Sequence, residues 1–262
     1  CIRDSAAPGL SRDAVEVLDA AGSEVLCKPI GRYDTLDLTP LLRRADDAFE
    51  NAAQTLIIRM RERDRAVTLE LYYTVFPASN VISRRCVIEN NCEGDISLRR
   101  IMSMSLDMPD RGFLMHSFDG GWIKETHRHV RPVEYGIYVN SSTTGASSNR
   151  HNPGFLLSEK NTGEDFGRAW GFNLVYSGNH CGVAERSNHD LVRIQLGINP
   201  HCFDWTVRPG ERFEAPEAVM TFSERGFNGL SANFHDFVNN NIVRGIWKNV
   251  ERPVLILSLI HI

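Results

Sequence analysis

The sequence predicts an all-β fold, a sandwich of two antiparallel sheets closed by one C-terminal amphipathic helix. Three observations predict it. Apolar and polar residues alternate from Val15 to Val219, the period of strands buried on one face. Turn-forming clusters such as Pro77-Ala78-Ser79-Asn80 and Asn90-Asn91-Cys92-Glu93-Gly94-Asp95 punctuate that alternation. Only near the end does the period change, where Phe227, Leu230, Phe234, Phe237, Val238 and Ile242 recur at helical steps.

Taken in order, residues 38–51 hold Leu41, Leu42, Ala45, Ala48 and Phe49 and fit either one short helix or a charged, irregular loop. Residues 67–76, 81–89 and 96–106 read as three consecutive strands of an antiparallel meander. Further strands are expected at 122–131, 133–140, 168–177, 181–187, 191–198 and 213–222. So many strands in one stretch call for two large packed sheets rather than a small barrel. The helix at 227–243 is expected to leave the sandwich with Phe234 and Phe237 on its buried side. The apolar run after Pro253, Val254 to Ile260, has the profile of an aggregation-prone edge strand. The expected domains are a sandwich over 6–225, a linker helix over 226–250 and an incomplete strand with a non-native tail over 251–262.

The 262 residues carry 29 basic and 33 acidic side chains, a net charge of −4, which gives no electrostatic footprint for nucleic acid or an anionic membrane. No apolar run approaches the ~20 residues of a membrane span. The first thirty residues lack the basic, apolar, small-residue order of a signal peptide, so a cytoplasmic location is expected. Cys1, Cys27, Cys86, Cys92, Cys181 and Cys202 form no Cys-x-x-Cys pair, and reduced, mostly buried thiols are expected. Cys86 and Cys92, which flank a turn, are the one pair close in sequence.

His127 and His129 lie two apart on an expected strand, and His116 and His151 could approach them to make a zinc site. The neighbouring Lys124, Arg128 and Arg131 oppose a cation, so no metal and no cofactor are expected. Gly145-Ala146-Ser147-Ser148 is not a nucleophile elbow, and no phosphate-binding glycine loop is present. Catalysis by a carboxyl pair needs the two groups about 5–5.5 Å or about 6.5–9.5 Å apart, depending on whether the second attacks directly or activates a water. Asp107, Asp110, Asp119, Glu125, Glu164, Asp165 and Glu217 all sit near turns or strand edges, where solvated acids belong. No catalytic residue is assigned among them.

Several segments stand in a recognisable order. They are Phe118-Asp119-Gly120-Gly121-Trp122-Ile123-Lys124-Glu125-Thr126-His127, Gly145 to Pro153, and Tyr176-Ser177-Gly178-Asn179, followed by Leu196-Gly197-Ile198-Asn199-Pro200, Pro216-Glu217-Ala218-Val219 and Val243-Arg244-Gly245. From about Val15 to Ile256 the chain resembles the N-terminal β-domain of family 36 glycoside hydrolases, the bacterial and fungal α-galactosidases. The resemblance implies a galactose mutarotase-like β-supersandwich. It implies that two catalytic Asp residues lie on a (β/α)8 barrel missing beyond Ile256, and that the parent is a homo-oligomer acting on melibiose and raffinose-type galactosides. Leu257-Ser258-Leu259 stand where the family pattern has Asn-Asn-Trp-Glu-Ala, so residues 257–262, like Cys1 to Ser5, are expected to be non-native.

Sugar contact is then the chemistry to look for within this chain. A galactose ring offers one apolar face to an aromatic side chain and hydroxyls to Asn, Asp and His. Asp119 and Trp122, with Asn149, His151 and Asn152 in the loop that follows, are the substrate-proximal candidates. A free-standing carbohydrate-binding sandwich is the alternative reading, and an independent sandwich enzyme, epimerase-like, is a third.

Overall fold

The computed structural model describes residues 53–62, 65–147, 150–243 and 245, together with the backbone of three short strands nearer the N-terminus. The helix-or-loop stretch 38–51, the apolar tail 251–262 and Cys1 to Ser5 lie outside the described residues.

Strands follow one another as β1 (Val15–Leu18), β2 (Pro29–Ile30), β3 (Thr35–Leu36), β4 (Gln54–Arg61), β5 (Val67–Phe76), β6 (Val81–Asn90), β7 (Ile96–Leu98), β8 (Met102–Pro109) and β9 (Leu114–Asp119). They continue as β10 (His127–Pro132), β11 (Gly136–Ser141), β12 (His151–Ser158), β13 (Ala169–Val175), β14 (His180–Arg186), β15 (Leu191–Ile198), β16 (Trp205–Val207), β17 (Arg212–Glu214) and β18 (Glu217–Ser223), and α1 (Gly226–Phe237) comes last. A ten-stranded sheet is ordered β1-β4-β5-β6-β18-β13-β12-β9-β10, with β17 also on β6. A four-stranded sheet is ordered β11-β14-β15-β8, and its pairings, like those of the larger sheet, are antiparallel. The all-β sandwich expected from the alternation is therefore present.

The meander is only half right. β5 and β6 pair along their whole length through the turn at Pro77 to Asn80, where Asn80 takes the left-handed conformation such turns require. The third expected strand breaks at Arg99 to Ile101. Its first part pairs with β16, and its second part crosses to the smaller sheet beside β15. The break lets one chain segment serve both layers.

The main core lies between the sheets. Met115, Phe155, Leu157, Phe172 and Leu174 from the large sheet meet Met104, Val192, Ile194 and Leu196 from the small one. Each such side chain contributes about 1.5–3 kcal/mol by leaving water. A second cluster, Ile58, Leu71, Cys86, Ile101 and Ile198, fills the other half of the sandwich. Cys86, Cys92, Cys181 and Cys202 are free thiols, two of them buried, Cys92 half-buried and Cys202 exposed.

Helix α1 does not leave the sandwich. It lies along the outer face of the large sheet, against β18 and β13, and ends in a π turn, Val238–Ile242. The ring of Phe237, 2% exposed, packs edge-on against Phe76 at 4.9 Å. Phe234 is only partly buried. Gly171 makes room for it, since a Cβ there would stand 2.5 Å from the Phe234 ring.

Candidate carbohydrate-contact site

Asp119 closes β9 between two neighbours, with His127 of β10 opposite it on one side and His151 of β12 on the other. Antiparallel partners share a face. Met115, Ser117 and Asp119 therefore point the same way as His127, His129 and Arg131, and the same way as the core residues Phe155 and Leu157. This is the inner face of the large sheet. Four strands cannot cover ten, so β10 extends past the smaller sheet and all six of its residues are exposed. The sandwich is open at this end.

In the opening lies a cavity of 200 Å³ bordered by Ser117, Asp119, Arg131 and His151 on one side and by Tyr138 and Asn140 of β11 on the other. Asp119 accepts a hydrogen bond from the Ser117 hydroxyl at 2.7 Å and pairs with His151 Nδ1 at 2.9 Å. Burial alone would raise this carboxyl. The Ser117 and His151 hydrogen bonds and the charges of His151 and His129 outweigh it and hold Asp119 below its ordinary 3.8. Asn140 donates from Nδ2 to the carbonyls of Asn152, at 2.8 Å, and Gly154, at 3.3 Å, which stitches β11 to β12. The Tyr138 hydroxyl accepts from the Glu134 amide at 3.1 Å.

Trp122 does not begin a strand. Residues 120–126 form a turn in which the Lys124 amide donates to Gly121 O at 2.9 Å and the Gly121 amide returns a bond to Lys124 O at 3.2 Å. Gly120 is required, because a Cβ would collide with the Lys124 carbonyl. Ile123 and Thr126 both have positive φ, 65° and 55°, and for β-branched residues each costs on the order of 1–3 kcal/mol. The strained turn presents Trp122 at 86% exposure and Ile123 at 73%. The indole thus faces solvent rather than the core.

Of the five sequence candidates, the structure brings Asp119 and His151 into contact and sets Trp122 on the adjoining turn. Asn152 instead borders a groove of 660 Å³ beside α1, lined by Phe118, Leu156, Phe227 and Phe234. Asn149 lies outside the described residues. Ser117, Tyr138 and Asn140 were not among the sequence candidates for sugar contact, and Arg131 entered only as a charge opposing a metal ion. Ser117 carried a signal, since it lies two residues before Asp119 on one strand, but the β11 residues reach the cavity only through the stacking of the sheets.

His116 does not join the other histidines. It points to the opposite face, bonds Ser158 Oγ through Nε2 at 2.8 Å and meets the Phe227 ring. Burial, aided by the Arg128 charge, lowers its pKa to about 4. Among the described residues no group of three or more His, Cys, Asp or Glu side chains is placed to hold a metal ion. Three of the acids weighed from sequence have ordinary partners: Asp107 binds Arg193 through two bonds, Asp110 pairs with Arg186, and Asp165 accepts from Asn228. Asp119 is displaced downward, the direction opposite to that of a general acid.

The family model described as "Glycosyl hydrolase family 36 N-terminal domain" matches residues 9–208, and the model described as "Melibiase" matches residues 212–259. "Alpha-galactosidase 2" of Hypocrea jecorina is 35% identical over 247 residues, which cover 94% of this chain and 33% of that protein. The solved structure of the family 36 α-galactosidase AgaA from Geobacillus stearothermophilus, as a variant in complex with stachyose, is 31% identical with a TM-score of 0.76, covering 92% of this chain and 34% of that one. A second AgaA variant, in complex with raffinose, is similar at 31% identity and a TM-score of 0.75, with the same coverage. The chain spans about a third of the length of the curated relatives it matches.

Proposed function

The chain belongs to glycoside hydrolase family 36, and on that premise we propose that it is the non-catalytic N-terminal domain of a retaining α-galactosidase acting on terminal α-galactosides such as melibiose and raffinose-type sugars. The match of residues 9–208 to the family's N-terminal domain carries this reading, together with the one-third share of its relatives that the chain spans. On this reading a (β/α)8 barrel in the remaining two thirds supplies the catalytic carboxyl pair. The sandwich supports that barrel and builds contacts in a homo-oligomer. The exposed Val130, Tyr135, Ile137 and Val139 of the uncovered edge suit burial against another protein surface. Asp119, Trp122, Asn149, His151 and Asn152 are the residues proposed to approach sugar, Trp122 through its ring face and the others through hydrogen bonds.

The test compares the complete polypeptide with the 262-residue chain on melibiose and raffinose, following the released anomer by NMR. The complete polypeptide is expected to release α-galactose first, as retention requires, and the chain alone to release none. Turnover by the chain alone that disappears in Asp119→Asn would overturn the assignment, and glycan binding without turnover by the complete polypeptide would favour a carbohydrate-binding module.

A further inference from the structure

We infer that the cavity beside Asp119 is a binding pocket for one neutral monosaccharide, formed by this chain's own residues. Its size sets the first limit. At 200 Å³ it lies below the roughly 300–1,000 Å³ of pockets for drug-sized ligands, and it suits a single sugar ring rather than an oligosaccharide.

Its electrostatics set the second limit. The ionised Asp119 opposes an anion such as phosphate, and Arg131, at the same wall, opposes a metal ion or an ammonium group. What remains is a neutral ligand that can both donate and accept. A sugar hydroxyl does both, giving its proton to a carboxylate while accepting from a guanidinium or imidazole.

The polar groups are arranged for this. Ser117 and His151 fix the Asp119 carboxylate from two sides and leave lone pairs on both oxygens. Arg131 has no ion-pair partner among the described residues, so its donors are available at the wall. The Tyr138 hydroxyl already accepts from the Glu134 amide, which leaves its proton to donate. Asn140 cannot swing away, because its amide is held by two main-chain carbonyls. Met115, buried at the same wall, supplies an apolar surface for the C–H face of a ring. The groups come from β9, β10, β11 and β12, so the pocket is preformed by sheet packing and needs no loop to close.

The proposal rests on the family reading only in the choice of galactose as the first ligand. Titration calorimetry of the 262-residue chain with D-galactose, D-glucose and inorganic phosphate tests it. Saturable one-site binding of a hexose in the millimolar range is expected, weakened at least about tenfold by Asp119→Asn and by Arg131→Ala, each removing a charge-assisted bond. Arg131 is exposed at the sheet edge, so its variant keeps the fold should Asp119→Asn disturb it. Absence of saturable hexose binding overturns the proposal, as does hexose binding unchanged in both variants. Phosphate binding in place of hexose overturns it in favour of an anion site. Hydrolysis by the complete polypeptide is measured separately, so the two readings fail independently.

Discussion

Replacing Glu70 with glutamine is expected to destabilise the sandwich by about 2–4 kcal/mol. Glu70 is 3% exposed on the outer face of β5 and yet ionised. Its Oε1 accepts from Arg59 Nε at 2.9 Å, and its Oε2 accepts from Tyr72 Oη at 2.9 Å and Arg212 at 2.7 Å. Burial by itself would raise this carboxyl. The bonds from Arg59 and Tyr72 and the charges of Arg212 and Arg59 outweigh it and hold it below its ordinary 4.5. Breaking a fully buried ion pair costs about 3–5 kcal/mol. Here the arginine side chains are 36% and 52% exposed, so both can turn to water once the charge is gone, and the cost falls to the bottom of that range or just below it. The network ties β4, β5 and β17 together, so its loss is felt along one half of the large sheet.

At about 2–4 °C per kcal/mol for a domain of this size, the melting temperature should fall by roughly 5–15 °C, read by circular dichroism at pH 7. The pH dependence gives a second reading. A carboxyl whose folded pKa is depressed stabilises fully above its unfolded pKa, and that stability drains away as pH falls through the folded value. The wild-type chain should therefore lose this contribution below about pH 4.5, and Glu70→Gln should lack that part of the acid limb. A variant within 0.5 kcal/mol of wild type, with an unchanged acid limb, would show that the network contributes nothing net and refute the reasoning.

His180 is fully buried, and burial, with the nearby charge of His151, lowers its pKa from 6.5 to about 4, as burial does for His116. Between about pH 6.5 and 4 the unfolded chain binds more protons, so the urea midpoint should fall across that window, and His180→Phe should flatten the slope; an unchanged slope refutes the assignment. Phe237→Ala should cost about 3–5 kcal/mol, with Phe234→Ala, partly exposed, costing less, and the reverse order in urea unfolding would contradict the packing of α1.

Much of the fold was legible because sheet periodicity is local. β5, β6, β13, β14 and β15 have limits within a few residues of those expected, although the alternation of burial is regular in only part of them, and β14 is buried on both faces over its first five residues. β9 and β12 were missed for opposite reasons. Leu114 to Asp119 is short and half polar, and His151-Asn152-Pro153 reads as a loop because its apolar alternation begins only at Phe155, after a bulge. The split of the third meander strand was invisible because the partners of its halves, β16 and β15, lie about a hundred residues downstream. At the candidate site, residue chemistry alone singled out Asp119 and His151, which the structure brings into contact. It gave no reason to place Arg131 or Tyr138 at the cavity wall, because their positions there depend on which strand each sheet leaves at its edge. Asn152 is set apart from Asp119 by the two-residue period itself, for it follows His151 and turns to the opposite side of β12.

The unequal sheets assign different work to the two ends of the large one. At β4, β5, β6 and β17 the outer face is closed by the Glu70 network and the inner face by a packed cluster, so polar groups there are consumed by one another. At β10, beyond the parts of β9 and β12 that the small sheet covers, all six residues are exposed, and His127, His129 and Arg131 have no ion-pair partner among the described residues. Two β-branched residues in the left-handed region are held at that same end, in the turn that also carries the exposed indole of Trp122. Strain of that kind persists only where surrounding structure over-determines it. At the open end the Asp119–His151 pair and Arg131 stand at one cavity wall facing Tyr138 and Asn140, and such a set of donors and acceptors held by their own neighbours is what the proposed recognition of a neutral sugar requires.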